Sequence, residues 1–383
     1  MRAIILFFVS LIVFSCGNKI PESHEVKMAE LSSPATFFGF TKADSVNPVL
    51  TADNAVFTCP ILNRPVSWAE KDVFNPAAVV RNDTLFLLYR AEDKIGKYAG
   101  TSRIGLAWST DGLHFTKHPT PVLYPDNDSL KKYEWEGGCE DPRVVRDSAG
   151  TYYMTYTAYD GQKARLLIAT STDLYHWTKH GTVFKNADSL HLNDTWSKSG
   201  SIVSDYEFGT PVAERINGKY WMYGGDVNIW VASSDDLLHW SPVMKVDAAD
   251  TTETEKFFAE TNKFKTVFGP RHKKFDSDLV ESGPPALVTP HGIWLLYNSR
   301  NVRATGDTSL PDGTYAAGYA IMDSNNPAKI IGRSDTLFIK PDKPYEITGQ
   351  VNNVCFIEGL VKYHGHWFLY YGTADSRIAV AVK

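Results

Sequence analysis

The chain has 383 residues, 43% hydrophobic and 13% aromatic, which is ample for a large core and excludes a disordered chain. Its net charge of −5, with the signs interspersed, argues against nucleic acid as a partner. The short basic run Arg271–Lys274 reads as a solvated loop rather than a phosphate track.

Taken in order, the chain opens with Arg2 and an apolar run from Ala3 to Phe14, too short to span a bilayer comfortably. The run ends in Val13-Phe14-Ser15-Cys16 and resembles a bacterial lipoprotein signal, with Cys16 as the lipidated residue. Phe14 departs from that pattern, where a smaller residue is commoner, and a plain secretory signal is the alternative. The expected organisation is a signal over 1–16, a polar tether over 17–35 and one catalytic domain over 36–383. The protein is then exported and lipid-anchored in the periplasm or outer membrane. Cys59, Cys139 and Cys355 are widely spaced, odd in number and without a His cluster, so they read as buried apolar residues rather than a disulfide framework or zinc site.

Five hairpins follow, each an apolar strand, a tight turn and an aromatic-rich strand ending in polar residues. They begin at Asn75, Asp141, Thr210, Pro284 and Glu358, with Asn-Asp, Ala-Gly, Asn-Gly, His-Gly and His-Gly turns. The first three are each followed by a strand, a Ser-x-Asp turn and an aromatic, at Phe115, Trp177 and Trp240, spaced 62 and 63 residues apart. Two hairpins per unit and a period of about 70 residues describe an all-β, five-bladed β-propeller. A β-sandwich is the alternative, and it does not explain so regular a period.

In an antiparallel hairpin the first residue of one strand and the last of the next share an end. Asn75 should therefore neighbour Arg90–Asp93, Asp141 neighbour Tyr159 and Asp160, Thr210 neighbour Asp226, Glu281 lie opposite Arg300, and Glu358 neighbour Asp375. If the first strands line one axis, these groups ring its mouth as a concave site with convergent polar groups. The stretch Glu136–Val145, EGGCEDPRVV, is its focus: two glycines, two adjacent carboxylates, then Pro142 fixing φ at the start of a strand, with Arg143 beside Asp141.

EGGCEDPRV, with FNPAA before it, YRAED, GPPAL and the closing YYGTADSRIAVA, resembles glycoside hydrolase family 130, five-bladed propellers acting on β-linked mannosides. The resemblance runs from Asn47 to the C-terminus. It implies that Asp141 is the general acid, working through a substrate hydroxyl, and that Asn75, Arg90 and Asp375 hold the terminal sugar. The family contains phosphorylases and hydrolases. Phosphorolysis needs a cluster of cations beside the anomeric carbon to hold a dianion. Where phosphorylases of the family end a strand in His-Arg-Pro, this chain has Gly224-Gly225-Asp226, and where they read Gly-Ala-Gly-Pro-Pro it has Glu281-Ser282-Gly283-Pro284-Pro285.

An inverting hydrolase needs a base to activate water, with the two carboxyls about 6.5–9.5 Å apart. Glu281 is the first candidate and Asp226 the second. Glu358 and Arg143 complete the set, the former to bind a hydroxyl, though each acid could instead sit in a salt bridge with Arg143, Arg300 or Lys198. The reading is an inverting exo-β-mannosidase acting on manno-oligosaccharides, β-1,2 favoured over β-1,4, with no metal or organic cofactor. A β-mannoside phosphorylase, served by Arg165, Lys198 and Arg271 if they converge, is the runner-up. A non-catalytic glycan-binding lipoprotein is the alternative from another class. Oligomeric state, membrane leaflet and the role of the stretch Asp247–Asp276 stay open.

Overall fold

The computed structural model describes residues 33–97, 100–184, 192–245 and 263–383. The signal, Cys16 and the tether as far as residue 32 lie outside the described residues, as does most of the stretch Asp247–Asp276. The architecture is all-β. Helix among the described residues is confined to single turns such as Pro34–Phe37 and Lys131–Glu134, and none is long or apolar enough to cross a membrane.

The strands form antiparallel meanders in chain order. Asp72–Arg81, Thr84–Glu92, Ser102–Ser109 and Thr116–Lys117 make the first, and Gly138–Arg146, Tyr152–Tyr159, Ala164–Ser171 and Thr178–Thr182 the second. Ser201–Ile202, Lys219–Gly224, Ile229–Ser234 and Trp240–Pro242 follow, then Leu279–Ser282, Gly292–Arg300, Tyr315–Asp323 and Asn326–Arg333. The last combines Cys355–Tyr363, His366–Thr373 and Arg377–Val382 with the N-terminal Thr41–Lys42, so the two ends of the described chain are tied in one sheet. The turns have the backbone their residues favour: Asn82 and Asp83, Asn217 and Gly218, and His364 and Gly365 all have positive φ, which matches the twist of a two-residue hairpin.

Apolar clusters fill the gaps between successive meanders. Leu88 and Leu106 meet Met154 and Leu167; Val145 and Ile168 meet Met222 and Trp230; Tyr223 and Val231 meet Leu295 and Met322. Trp294 and Leu296 then meet Leu360 and Tyr371, and Val361 and Tyr370 meet Leu87 and Tyr89, returning to the start. The innermost strands approach closely. A Cβ on Gly359 would lie 2.8 Å from the Pro76 carbonyl oxygen, so only glycine lets the last first-strand pass beside Asp72–Arg81.

The second strand of every meander carries a buried tyrosine, Tyr89, Tyr156, Tyr223, Tyr297 and Tyr371, at spacings of 67, 67, 74 and 74 residues. Four of the five hydroxyls donate to a carboxylate or a carbonyl, and that of Tyr89 has no hydrogen-bond partner. Tyr156 donates to Glu134 at 2.7 Å, and Glu134 is paired with Lys179 at 2.6 Å. Tyr371 donates to Glu346 at 2.9 Å, paired with Lys42 at 2.7 Å, and Tyr297 to Asp276 at 2.8 Å, paired with Arg333 at 2.5 Å. Tyr89 lies near Asp53, which pairs with Lys117 at 2.6 Å. In these four meanders the cation comes from the outermost strand; in the third, Tyr223 donates instead to the Pro327 carbonyl at 2.8 Å. Cys59, Cys139 and Cys355 are buried and free, as expected for small apolar residues.

Candidate active site

Three β-bulges build the site. The first strands slip register at Asn75, between Glu140 and Arg143, and at Glu358. Each bulge adds a residue that the partner strand does not match and re-aims its side chain. Asn75 and Asp141 hold φ of 50° and 48°, and both are buried. They are joined directly, the Asn75 amide donating to Asp141 Oδ1 at 3.0 Å.

Two arginines bind the ring together. Arg90 pairs with Glu92 at 2.7 Å, Glu140 at 3.0 Å and Asp141 at 3.3 Å. Arg143 donates to the carbonyls of Asp141 (3.2 Å), Ser282 (2.6 Å) and Gly283 (2.8 Å), so one guanidinium ties the Asp141 strand to the residue following Glu281. Its charge also lies 3.0 Å from Glu358, but off line, and neither Glu358 oxygen has a hydrogen bond. The contact is thus a charge pairing without a directed hydrogen bond, since a hydrogen bond depends on direction as well as distance.

On the remaining side, Ser199, itself at φ 59°, donates to Glu281 Oε1, and Lys198 Nζ stands 3.8 Å from the same oxygen. The Gly225 amide donates to the Lys198 carbonyl at 3.0 Å, which brings Asp226 alongside, and the Trp196 indole donates to Asp226 at 2.8 Å. Lys198 acts electrostatically on Glu281, Asp141, Asp226 and Glu140 together.

Burial raises most of these carboxyls. Desolvation pushes Glu140 up to about 7 against the pull of Arg90, and Asp375 likewise to about 7. Desolvation also raises Glu281, with Lys198 pulling the other way, and Glu358 rises well above the usual range against the pull of Arg143. Asp141 is the exception. Its burial is outweighed by Arg90, Lys198 and the Asn75 amide, which hold it below the ordinary carboxylate value. Of the adjacent pair, Glu140 thus holds a proton more readily than Asp141, because Arg90, Lys198 and the Asn75 amide favour the ionised form of Asp141.

The structure gathers Asn75, Arg90, Asp141, Arg143, Asp226, Glu281, Glu358 and Asp375 into this one charged cluster, and four of the expected neighbourhoods change. Glu358 stands opposite Tyr370 and Tyr371 rather than Asp375, because Cys355, three residues before it, already pairs with Thr373. Asp141 faces the Thr155–Thr157 stretch rather than Tyr159, because the bulge displaces the register. Glu281 is paired with Asn298, and Arg300 with Leu279; the Arg300 charge goes to Asp278. Thr210 does not neighbour Asp226. The strand opposite Tyr223 is Ser201–Ile202, while Val212–Ala213 pairs with Ser204–Asp205 and, in parallel, with Arg146. Lys198 and Ser199 therefore occupy the place assigned to Thr210. Glu140, Glu92 and Ser199 escaped the sequence reading; the adjacent acids of EGGCED were a visible signal for the first, but Ser199 lies in no repeat.

The ring has many hydrogen-bonding groups, alternating charge and, among the described residues, no cluster of three potential metal ligands. That is the chemistry of a site for a polyhydroxylated ligand, as carbohydrate enzymes present. The comparisons agree. The family model described as β-1,4-mannooligosaccharide phosphorylase matches residues 51–383, and the chain belongs to glycoside hydrolase family 130, whose enzymes act on mannosides, mostly as phosphorylases and some as hydrolases. A 1,2-β-oligomannan phosphorylase of Thermoanaerobacter sp. is 30% identical over 324 residues, 82% of this chain and 90% of that one. A glycosyl hydrolase from Bacteroides ovatus superposes with a TM-score of 0.83 at 44% identity, covering 90% of this chain and 93% of that one. A family member at 43% identity and TM-score 0.84, covering 90% and 93%, is described among glycoside hydrolases that target β-1,2 mannosidic linkages in Candida mannan.

Proposed function

We propose that the protein is an inverting exo-β-mannosidase that releases terminal mannose from β-1,2-linked manno-oligosaccharides, built as a five-bladed propeller whose first strands line the axis. The observation that carries the hydrolytic reading is that the cations of the described ring are already engaged: Arg90 by Glu92, Glu140 and Asp141, Arg143 by the Asp141, Ser282 and Gly283 carbonyls, and Lys198 by Glu281. Arg165 is engaged by Asp160 at 2.8 Å and Asp194 at 2.6 Å, and Arg271 by Asp276 at 2.9 Å. Of Arg165, Lys198 and Arg271, Lys198 alone reaches the ring, and there it faces Glu281 and Asp226, which would repel an incoming dianion.

In this reading Asn75, Arg90 and Asp375 hold the terminal sugar, Asp141 delivers the proton through a substrate hydroxyl, and Glu281 activates water. Glu281 suits the base role: burial raises its proton affinity against the pull of Lys198, and Ser199 and Lys198 orient it. In the acid role Asp141 must first take up a proton, and the adjacent Glu140, whose proton affinity burial raises, is the group able to supply it. Glu358, raised well above the usual carboxyl range, contributes a hydrogen-bond donor to a sugar hydroxyl. The protein acts in the periplasm or at the outer membrane, anchored through Cys16, which metabolic labelling with a fatty acid in wild type and Cys16→Ala would test.

A β-mannoside phosphorylase is the second reading, favoured by the phosphorylase relatives described above. Incubation with β-1,2- and β-1,4-mannobiose, with and without phosphate, separates the two. Free mannose at a rate independent of phosphate is expected; mannose 1-phosphate would establish the second reading instead.

A further inference from the structure

The far ends of the same first strands enclose a second cavity, of about 490 Å³, lined by Val80 and Arg81, Arg146, and Lys362 with Tyr363 and His364. Arg81 lies six residues beyond Asn75 on the strand, so at about 3.3 Å per residue the cavity lies roughly 20 Å from the sugar-holding end. Its charge is opposite to that of the whole protein. Arg81, Arg146 and Lys362 face it, with His364 alongside, and the single lining carboxylate, Asp83, is already bonded to His364 at 2.9 Å.

Two features point to a ligand. The Arg146 Nε–H is buried and has no hydrogen-bond acceptor, although a guanidinium withdrawn from water normally finds one. No ion pair joins Arg146 to any carboxylate among the described residues. At the rim, Phe208 is 79% exposed and holds φ 54°, a conformation rarely adopted by a bulky residue. The following Gly209 packs directly on the Lys362 strand, where an added Cβ would meet the Lys362 carbonyl at 1.8 Å. An exposed aromatic ring beside the half-buried guanidinium groups of Arg81 and Arg146 offers one face for a sugar and one charge-assisted grip for an oxyanion.

We propose that this cavity binds a phosphate-type oxyanion, either free or carried on a hexose, with Arg146 and Arg81 as its principal donors and Phe208 stacking on the sugar. Neither arginine touches the catalytic ring, so the site is independent of the mannoside reaction.

Calorimetry with inorganic phosphate, mannose 6-phosphate and mannose tests the assignment on the purified protein. Saturable binding of phosphate or of the sugar phosphate is expected, weakened about tenfold or more in Arg146→Gln, as for loss of a charge-assisted contact. Mannosidase turnover should be unchanged in that variant. Phe208→Ala should weaken mannose 6-phosphate several-fold but leave inorganic phosphate unaltered if the hexose is the carrier; equal affinities in both proteins assign the site to the free anion. Lys362→Gln provides a second, more exposed probe if Arg146→Gln does not fold, with weaker binding again expected. Absence of binding, or binding undiminished in the charge-removing variants, would overturn the proposal, the latter by placing the anion in the catalytic ring.

Discussion

Glu346 in an outer cluster and Glu358 in the central ring are both buried, yet they are partnered in opposite ways. Glu346 accepts from Tyr371, from Lys42 and from the backbone amides of Asp342 and Lys343, so its desolvation is matched by partners on every side. Glu358, equally buried, has no hydrogen bond, and Asn75 Oδ1 is likewise unsatisfied. Burying a polar group without a partner costs stability, so the outer clusters hold the meanders together while the ring keeps capacity for a ligand. The contrast teaches that burial alone does not mark function; unmet hydrogen-bonding capacity at a convergent point does.

The largest effect is expected where that capacity meets the reaction. Asp141→Asn keeps the shape but removes the ionisable group, and should lower turnover of β-1,2-mannobiose by about 10²- to 10⁴-fold, the usual contribution of a general acid. Initial rates and a melting curve on the same sample check it: near-normal turnover would remove Asp141 from the chemistry. Glu281→Gln should cost a comparable amount under the hydrolytic reading, and azide, which needs no base, should partly restore it with an α-glycosyl azide as product. Rescue in Asp226→Asn instead would transfer the base role to Asp226.

Glu346→Ala should act on stability rather than chemistry. Removing one partner from a buried ion pair typically costs about 3–5 kcal/mol. Denaturant unfolding should show this loss, while KM for the mannoside at a temperature where the variant is folded should stay near that of the wild type. A large rise in KM would mean that the outer clusters also shape the ring.

The two regions should also differ in their response to pH. Glu140 and Asp375 have folded-state values near 7 against ordinary values of 4.5 and 3.8, so the folded protein holds protons that the unfolded chain releases. Their contribution is fully present below about pH 4 and is lost as pH rises towards 7. The peripheral Asp236, burial notwithstanding, is held at about 2 by His239 and by backbone amides, and its contribution is present above 3.8 and lost as pH falls through about 2. Melting temperature against pH should therefore decline towards neutrality, and Glu140→Gln should flatten that decline without altering the acid limb.

The smallest effect is expected for Glu358→Gln. Burial raises the proton affinity of this carboxyl and no hydrogen bond holds it, so an isosteric amide should change stability by no more than about 1 kcal/mol, within the range of a single hydrogen bond. A much larger loss would show that Arg143 depends on a charged Glu358.

The sequence by itself determined the repeating unit and most of the ring. Asn-Gly and His-Gly turns and alternating strands are local chemistry, and the acids at the strand mouths follow from antiparallel geometry, so Asn75, Arg90, Asp141, Glu281 and Asp375 could be named before any coordinates. Tertiary structure decided what local rules cannot reach. The bulges at Asn75, Asp141 and Glu358 shift register by one residue and so change which groups face each other. The third meander recruits Ser201–Ile202 in place of the strand after Thr210, which brings Lys198 and Ser199 to Glu281 from a stretch with no repeat partner. Nor does the sequence say which cations are already taken: Arg165 and Arg271 were candidates for phosphate until their pairing with Asp194 and Asp276 was seen, because an ion pair is fixed by where the chain places its charges, not by their spacing along it.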